Sequence, residues 1–264
     1  MIEKIVYKIG KYLIAVYCFF AFDFNIKKYG KLPRGPKIFV ANHPSTTDPF
    51  LMLILFKEQV SILIGEELFK LSVFGKLLKL SGQIPVIKGN GLLALEKART
   101  LQTLKKRNIV IFIEGSISLE DQSLQRPKTG AVRLALATGA PIIPIGFSLN
   151  KSNIKLIKTK VDNKYEIGEW YLTGPYSITI GKPLYLKGNI EDHEHVRQSS
   201  MQVMENINSL AEISRKRIVS KLKPGVIPLG IIKSQQVRMK YFPVFNQLVF
   251  ILCCFVRIIY TTPL

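Results

Sequence analysis

Lys37-Ile38-Phe39-Val40-Ala41-Asn42-His43-Pro44-Ser45-Thr46-Thr47-Asp48 is the stretch on which the fold of this chain turns. Its first five residues are mostly apolar, β-branched or aromatic, and too few for a helix, as expected of a buried strand. The remainder is polar and holds one of only three histidines, with an acid five residues on. Open parallel sheets bind ligands at the carboxyl ends of their strands, where such residues would emerge. Four further runs repeat the apolar half: Val60 to Ile64, Ile84 to Ile87, Ile109 to Ile113 and Ile142 to Phe147. Longer amphipathic stretches separate them, namely Glu66 to Leu80, Gly91 to Arg107 and Lys128 to Thr138. In the second of these, Leu93, Ala94, Ala98, Leu101 and Leu104 share one side of a helical wheel, interrupted by Lys97. Strand alternating with helix predicts an α/β fold, a largely parallel sheet flanked by helices. Tyr165 to Leu172 and Tyr176 to Ile180 add two strands, and Glu191 to Ser220 reads as a long closing helix.

The ends differ from this middle. The chain has 264 residues, and 38 Lys and Arg against 18 Asp and Glu give a formal charge of +20, with 47% hydrophobic residues. A disordered basic tail would lack the apolar content and an ordinary cytosolic enzyme the charge, so the protein is folded and works on something anionic. After Glu212 there is no acid, yet nine Lys and Arg follow. Near the start, Lys4, Lys8 and Lys11 precede the apolar run Tyr12 to Phe22, and Lys27, Lys28 and Lys31 follow it. Eleven apolar residues cannot cross about 30 Å of hydrocarbon as a helix, and no small-residue cleavage site follows. An interfacial anchor on anionic lipid fits better. Tyr241 to Val256 is a second uncharged stretch that could be interfacial, re-entrant or spanning. The expected organisation is a membrane-associating helical segment over 1–34, an α/β domain over 35–221 and a basic, apolar tail over 222–264. Cys18, Cys253 and Cys254 sit in apolar runs, giving no disulfide framework and pointing to a reducing compartment. Aromatic residues gather in the apolar termini rather than among the basic residues, which argues for a membrane surface and against nucleic acid; the expected location is the cytoplasmic face of a membrane.

Three strand ends carry candidate chemistry. Asp48 can fix the tautomer of His43 and stabilise its imidazolium, leaving the other ring nitrogen to accept a proton; alternatively Asp48 starts a helix and His43 fills a turn. Glu114 and Gly115 end another strand, where a carboxylate could accept a substrate hydroxyl and glycine admits close approach of a ligand. Lys88 follows a third and could meet a phosphate. Ser45 and Ser118 lack the glycine-flanked turn of a nucleophilic serine. His193 and His195, in an acidic run, are better explained by a solvated helix start than by a metal.

In order, these segments resemble the blocks of the phospholipid and glycerol acyltransferase family. Asn42-His43 with Asp48 resembles its first block, Gly82 to Lys88 its second, Glu114-Gly115-Ser116 its third and Ala140 to Ile145 its fourth. The resemblance covers about residues 35 to 150 and implies an enzyme moving an acyl group from a thioester to a lysophospholipid, most typically 1-acylglycerol-3-phosphate. It implies His43 as catalytic base, Asp48 as its partner, and Asn42, Lys88, Glu114, Gly115, Ser116, Arg126 and Lys128 around the acceptor, with Pro144 in a segment shaping the acyl-donor side. It implies no metal and no cofactor beyond acyl-CoA or acyl carrier protein as co-substrate. The third block usually ends Gly-Thr-Arg-Ser, whereas here Ile117 replaces the arginine and Lys88 replaces the arginine common in the second. Phosphate would then fall to Lys88, Arg126, Lys128 or Arg133, or the acceptor carries another headgroup.

Overall fold

The protein is described from a computed structural model covering residues 2–118, 126–161 and 164–222. Helix α1 (Ile2–Ala21) leads into strand β1 (Phe22–Lys28); β2 (Ile38–Ala41), α2 (Asp48–Leu55), β3 (Val60–Gly65), α3 (Ser72–Leu80), β4 (Ile84–Val86), α4 (Gly91–Leu104), β5 (Asn108–Phe112), α5 (Gly130–Thr138) and β6 (Ile142–Leu149) follow. The chain then forms a hairpin of β7 (Ile154–Val161) and β8 (Lys164–Tyr171), strand β9 (Gly174–Ile180) and α6 (His193–Leu222). Among the described residues, a seven-stranded sheet has the order β1-β9-β6-β2-β5-β3-β4. Strands β6, β2, β5, β3 and β4 are mutually parallel, while β9 runs antiparallel to β6 and carries β1 parallel to itself. The expected mixed α/β fold with a mostly parallel sheet is what forms.

Alternation along the central strands separates two core layers. Phe39 and Ala41 of β2, Val110 and Phe112 of β5, and Ile143, Ile145 and Phe147 of β6 pack with α1 and α2 residues. Ile38, Val40, Ile109, Ile111 and Ile142 pack on the other side with α4, α5 and α6. There α6 crosses the sheet so closely that a Cβ on Gly146 would lie 2.1 Å from the Ala211 nitrogen. The Ala211 nitrogen and the Leu210 carbonyl carbon that it would meet are backbone and cannot turn aside, so Gly146→Ala is expected to lower unfolding stability by about 3 kcal/mol in a urea melt.

Several elements depart from the sequence expectation. Residues 22–28 fall in the expected N-terminal segment, yet they form an edge strand of the sheet, so the α/β unit begins before residue 35. Strand β7 was not expected. The Glu66–Leu80 helix is two pieces, a 3-10 turn over Glu66–Phe69 and then α3, because Leu71 is extended and Gly75 packs where a Cβ would lie 2.1 Å from the Phe69 carbonyl oxygen. In α4 the buried stripe is Ala94, Ala98, Leu101 and Gln102, leaving Leu93 and Leu104 exposed. The tail over 223–264, with Cys253, Cys254 and Tyr241 to Val256, lies outside the described residues.

Helix α1 is fastened along one face. Arg107, itself buried, donates to the Glu3 carboxylate at 2.6 Å; Tyr7 Oη accepts the Val60 N–H at 3.1 Å; Tyr17 donates to the Leu172 carbonyl at 2.5 Å. Burial works against the Glu3 carboxylate, but Arg107 and Lys105 beside it hold its pKa below the ordinary range. Cys18 lies on the same face, and burial pushes its thiol up to about 12. The opposite face exposes Ile5, Ile9, Tyr12 and Phe19 together with Lys4 and Lys8. Among the described residues no helix is long and apolar enough to cross a membrane.

Candidate active site

The alternation that sends Phe39 and Ala41 into the α1–α2 layer continues past the end of β2 to His43, whose ring stacks on Phe112 with centroids 4.2 Å apart and planes 20° off parallel. Asn42, one residue earlier, uses both ends of its amide on β6: its Nδ2 donates to the Phe147 carbonyl at 3.0 Å and its Oδ1 accepts the Phe147 N–H at 2.7 Å. It is fully buried, so Asn42 fixes where the chain leaves the sheet rather than reaching toward a ligand.

Asp48 opens α2 with Pro49 behind it, a favourable place for a carboxylate because the first turn presents unpaired N–H groups. The loop between them doubles back so that His43 Nδ1 lies 2.8 Å from Asp48 Oδ2. The same oxygen accepts the Ser45 N–H at 2.9 Å, and Oδ1 accepts the hydroxyl of Tyr176 from β9. Asp48 has no exposure at all, whereas the His43 side chain retains 17%. A carboxylate on Nδ1 holds the proton there and leaves Nε2 as the basic nitrogen. Burial and the adjacent Asp48 carboxylate push the Tyr176 hydroxyl well above the usual phenol range, so it stays a donor.

Glu114 emerges beside His43 on the neighbouring strand. It is buried, and its Oε1 accepts the His43 N–H at 3.0 Å and the Ser118 hydroxyl at 2.6 Å, while the Ser118 N–H donates to the His43 carbonyl at 2.8 Å. Glu114 therefore ties the two strand-end loops together. Gly115 adopts φ +72°, and the Lys128 stem lies over it, its Cγ 3.3 Å from where a Cβ would sit. Ser116, Lys128 and Arg126 are exposed on the rim, with Ile117 half-buried beside them.

Lys88 is exposed in the Ile87–Asn90 turn after β4. It shares the carboxyl edge, but β5 and β3 intervene, so its strand lies about 14 Å from β2. Arg133 turns instead to α6, donating to the Ile190 carbonyl at 3.2 Å and meeting His193 Nδ1 at 2.9 Å. His195 Nε2 meets the Lys187 carbonyl at 3.0 Å, and among the described residues no cluster of His, Cys, Asp or Glu could hold a metal ion. Pro144 is buried within β6 with its ring close to Gly181, away from the strand's carboxyl end. The Ser45 hydroxyl is buried and accepts the Thr47 and Tyr171 N–H groups at 3.0 and 3.3 Å.

Sequence reading did not find Tyr176, Phe112 or the Ser118 contact. Phe112 was open to discovery, being two residues before Glu114 on a strand of strict alternation. Tyr176 gives no local signal, since it reaches Asp48 from 128 positions away.

Residues 23–148 match the Acyltransferase family model. The chain is 31% identical over 125 residues to the 1-acyl-sn-glycerol-3-phosphate acyltransferase of Escherichia coli, covering 46% of this chain and 51% of that protein. It is 28% identical over 135 residues to the lyso-ornithine lipid O-acyltransferase of Pseudomonas aeruginosa, covering 51% of each. The chain thus spans about half the length of the curated relatives it matches. The crystal structure of the 1-acyl-sn-glycerophosphate acyltransferase of Thermotoga maritima shares the fold, with a TM-score of 0.52 and 21% identity over 85% of this chain and 81% of that one. The matched segment contains the whole His43, Asp48 and Glu114 constellation, and over that segment the chain is similar to the Acyltransferase family.

Proposed function

We propose that this protein is an O-acyltransferase that moves a fatty acyl group from a thioester to the free hydroxyl of a lysophospholipid, with 1-acylglycerol-3-phosphate as acceptor and phosphatidic acid as product. The observation that carries this reading is the His43–Asp48 pair, 2.8 Å apart at the carboxyl edge of the sheet. The acceptor hydroxyl attacks the thioester carbonyl as Nε2 of His43 takes its proton. Asp48 stabilises the imidazolium, which returns the proton to the departing thiolate as the C–S bond breaks. The reaction needs no metal or cofactor beyond the co-substrate, acyl-CoA or acyl carrier protein. Lys128, Arg126 and Lys88 are the cations available to an anionic headgroup from this edge. The outward apolar and lysine-bearing side of α1 suits the surface of an anionic bilayer at its cytoplasmic face, with no role for nucleic acid.

A second reading, transfer to another lysolipid, is favoured by one observation. Ile117 stands half-buried on the rim where the family's third block carries an arginine, and one relative is a lyso-ornithine lipid O-acyltransferase. A panel of lysolipids differing only in headgroup decides between them. Lysophosphatidate is expected to be acylated on the order of ten-fold faster than lyso-ornithine lipid or lysophosphatidylethanolamine, the size of effect a charge-assisted phosphate contact gives. The reverse order would establish the second reading, and no transfer to any of them would end both.

A further inference from the structure

We propose that Tyr176 is a positioning residue that sets the basicity of His43 through Asp48. The inference rests on the acyltransferase reading for its kinetic consequence but not for its effect on the imidazole. Asp48 has no contact with solvent, so water cannot complete its hydrogen bonding. Its two oxygens divide three donors: Oδ2 takes His43 Nδ1 at 2.8 Å and Ser45 N–H at 2.9 Å, and Oδ1 takes the Tyr176 hydroxyl. The phenol therefore holds the carboxylate plane that orients the imidazole. It also draws negative charge toward Oδ1, away from His43.

The Tyr176 ring is itself closely held. Tyr171, Phe147 and Phe22 surround it with centroids 5.7, 5.8 and 5.9 Å away, all at steep angles. Its strand is registered by pairing of Tyr176 with Leu149 on β6 and with Phe24 on β1. The titratable groups about it are Asp48, Tyr171 on β8 and Cys18 on α1, the last two neutral near pH 7 because burial raises both to about 12. Glu114 is the other acid beside His43, and its Oε1 accepts the histidine's backbone N–H at 3.0 Å. The donor on Oδ1 is thus the component of this environment that can change the charge felt by the imidazole without touching it.

Removing the phenol OH localises more charge on the carboxylate, which favours the imidazolium over the neutral ring. Because the reaction needs the neutral ring, the alkaline-rising limb of the kcat profile moves upward. In Tyr176→Phe the limb is expected to rise by about half to one pH unit, with kcat below the limb falling several-fold, KM unchanged and activity recovering at higher pH. An NMR titration of the His43 ring should move equally, without any substrate. Tyr171→Phe is the control: its hydroxyl donates to the Pro175 carbonyl at 2.8 Å, so it should cost stability and leave the limb in place. Should Tyr176→Phe fail to fold, 3-fluorotyrosine at position 176 keeps the size, strengthens the donor and should move the limb the other way. An unmoved limb with an unmoved imidazole titration would overturn the proposal. A shifted titration in a protein that transfers no acyl group to any lysolipid would uphold Tyr176 and overturn the acyltransferase reading.

Discussion

His43→Ala is expected to lower acyl transfer by about 10²- to 10⁴-fold, the range that general base catalysis contributes. The expectation follows from how little else the side chain supports. It is partly exposed, stacks on Phe112 and hydrogen-bonds to Asp48, which keeps its bonds to Ser45 and Tyr176 when the imidazole is gone. Melting temperature and vesicle association should therefore match the parent protein, and a transfer assay at saturating acceptor reads the loss in kcat. Most of the activity surviving would refute the role given to His43.

Asp48 presents the opposite balance. In Asp48→Ala three donors that met a carboxylate with no solvent exposure are left without it. Breaking such a buried ionic arrangement by removing one member costs on the order of 3–5 kcal/mol, so the variant should lose stability as well as activity. Asp48→Asn separates the two effects. The amide oxygen can still accept from Ser45 N–H and His43 Nδ1, and the amide nitrogen can donate to the Tyr176 oxygen. Stability should then stay closer to the parent while transfer falls about 10³-fold or more, because no charge opposes the imidazolium. A urea melt and kcat measured on both variants check the pair of outcomes; equal losses in both would mean that Asp48 acts only as a structural acceptor.

The parts of this molecule legible in sequence are those whose cause is local. Five short apolar runs became β2 to β6 within a residue or two of their expected bounds, because a strand buried on both faces needs nothing but apolar residues and a short length. His43, Glu114 and Gly115 were legible because each stands just past or at the end of such a run, and Asp48 because it follows His43 by five residues. What could not be read depends on distant partners. Phe22-Asp23-Phe24-Asn25-Ile26-Lys27-Lys28 mixes apolar and charged residues without a burial signature, and becomes a strand only because β9 offers it an edge. Leu93 and Leu104 fit the apolar side of a helical wheel, yet α4 docks through the small residues Ala94 and Ala98. Asn42 looked like a ligand-facing amide until β6 supplied both its partners. Tyr176 belongs to the same class, a site residue defined entirely by tertiary pairing.

The pairing of β1 with β9 also sets an order of events during synthesis. Strand β1 is complete at Lys28, but its only ladder neighbour in the described sheet begins at Gly174. At ordinary translation speeds that interval is on the order of ten seconds. Throughout it, helix α1 and an unpaired strand stand ready in the nascent chain, able to seek lipid or a chaperone before the sheet can claim them.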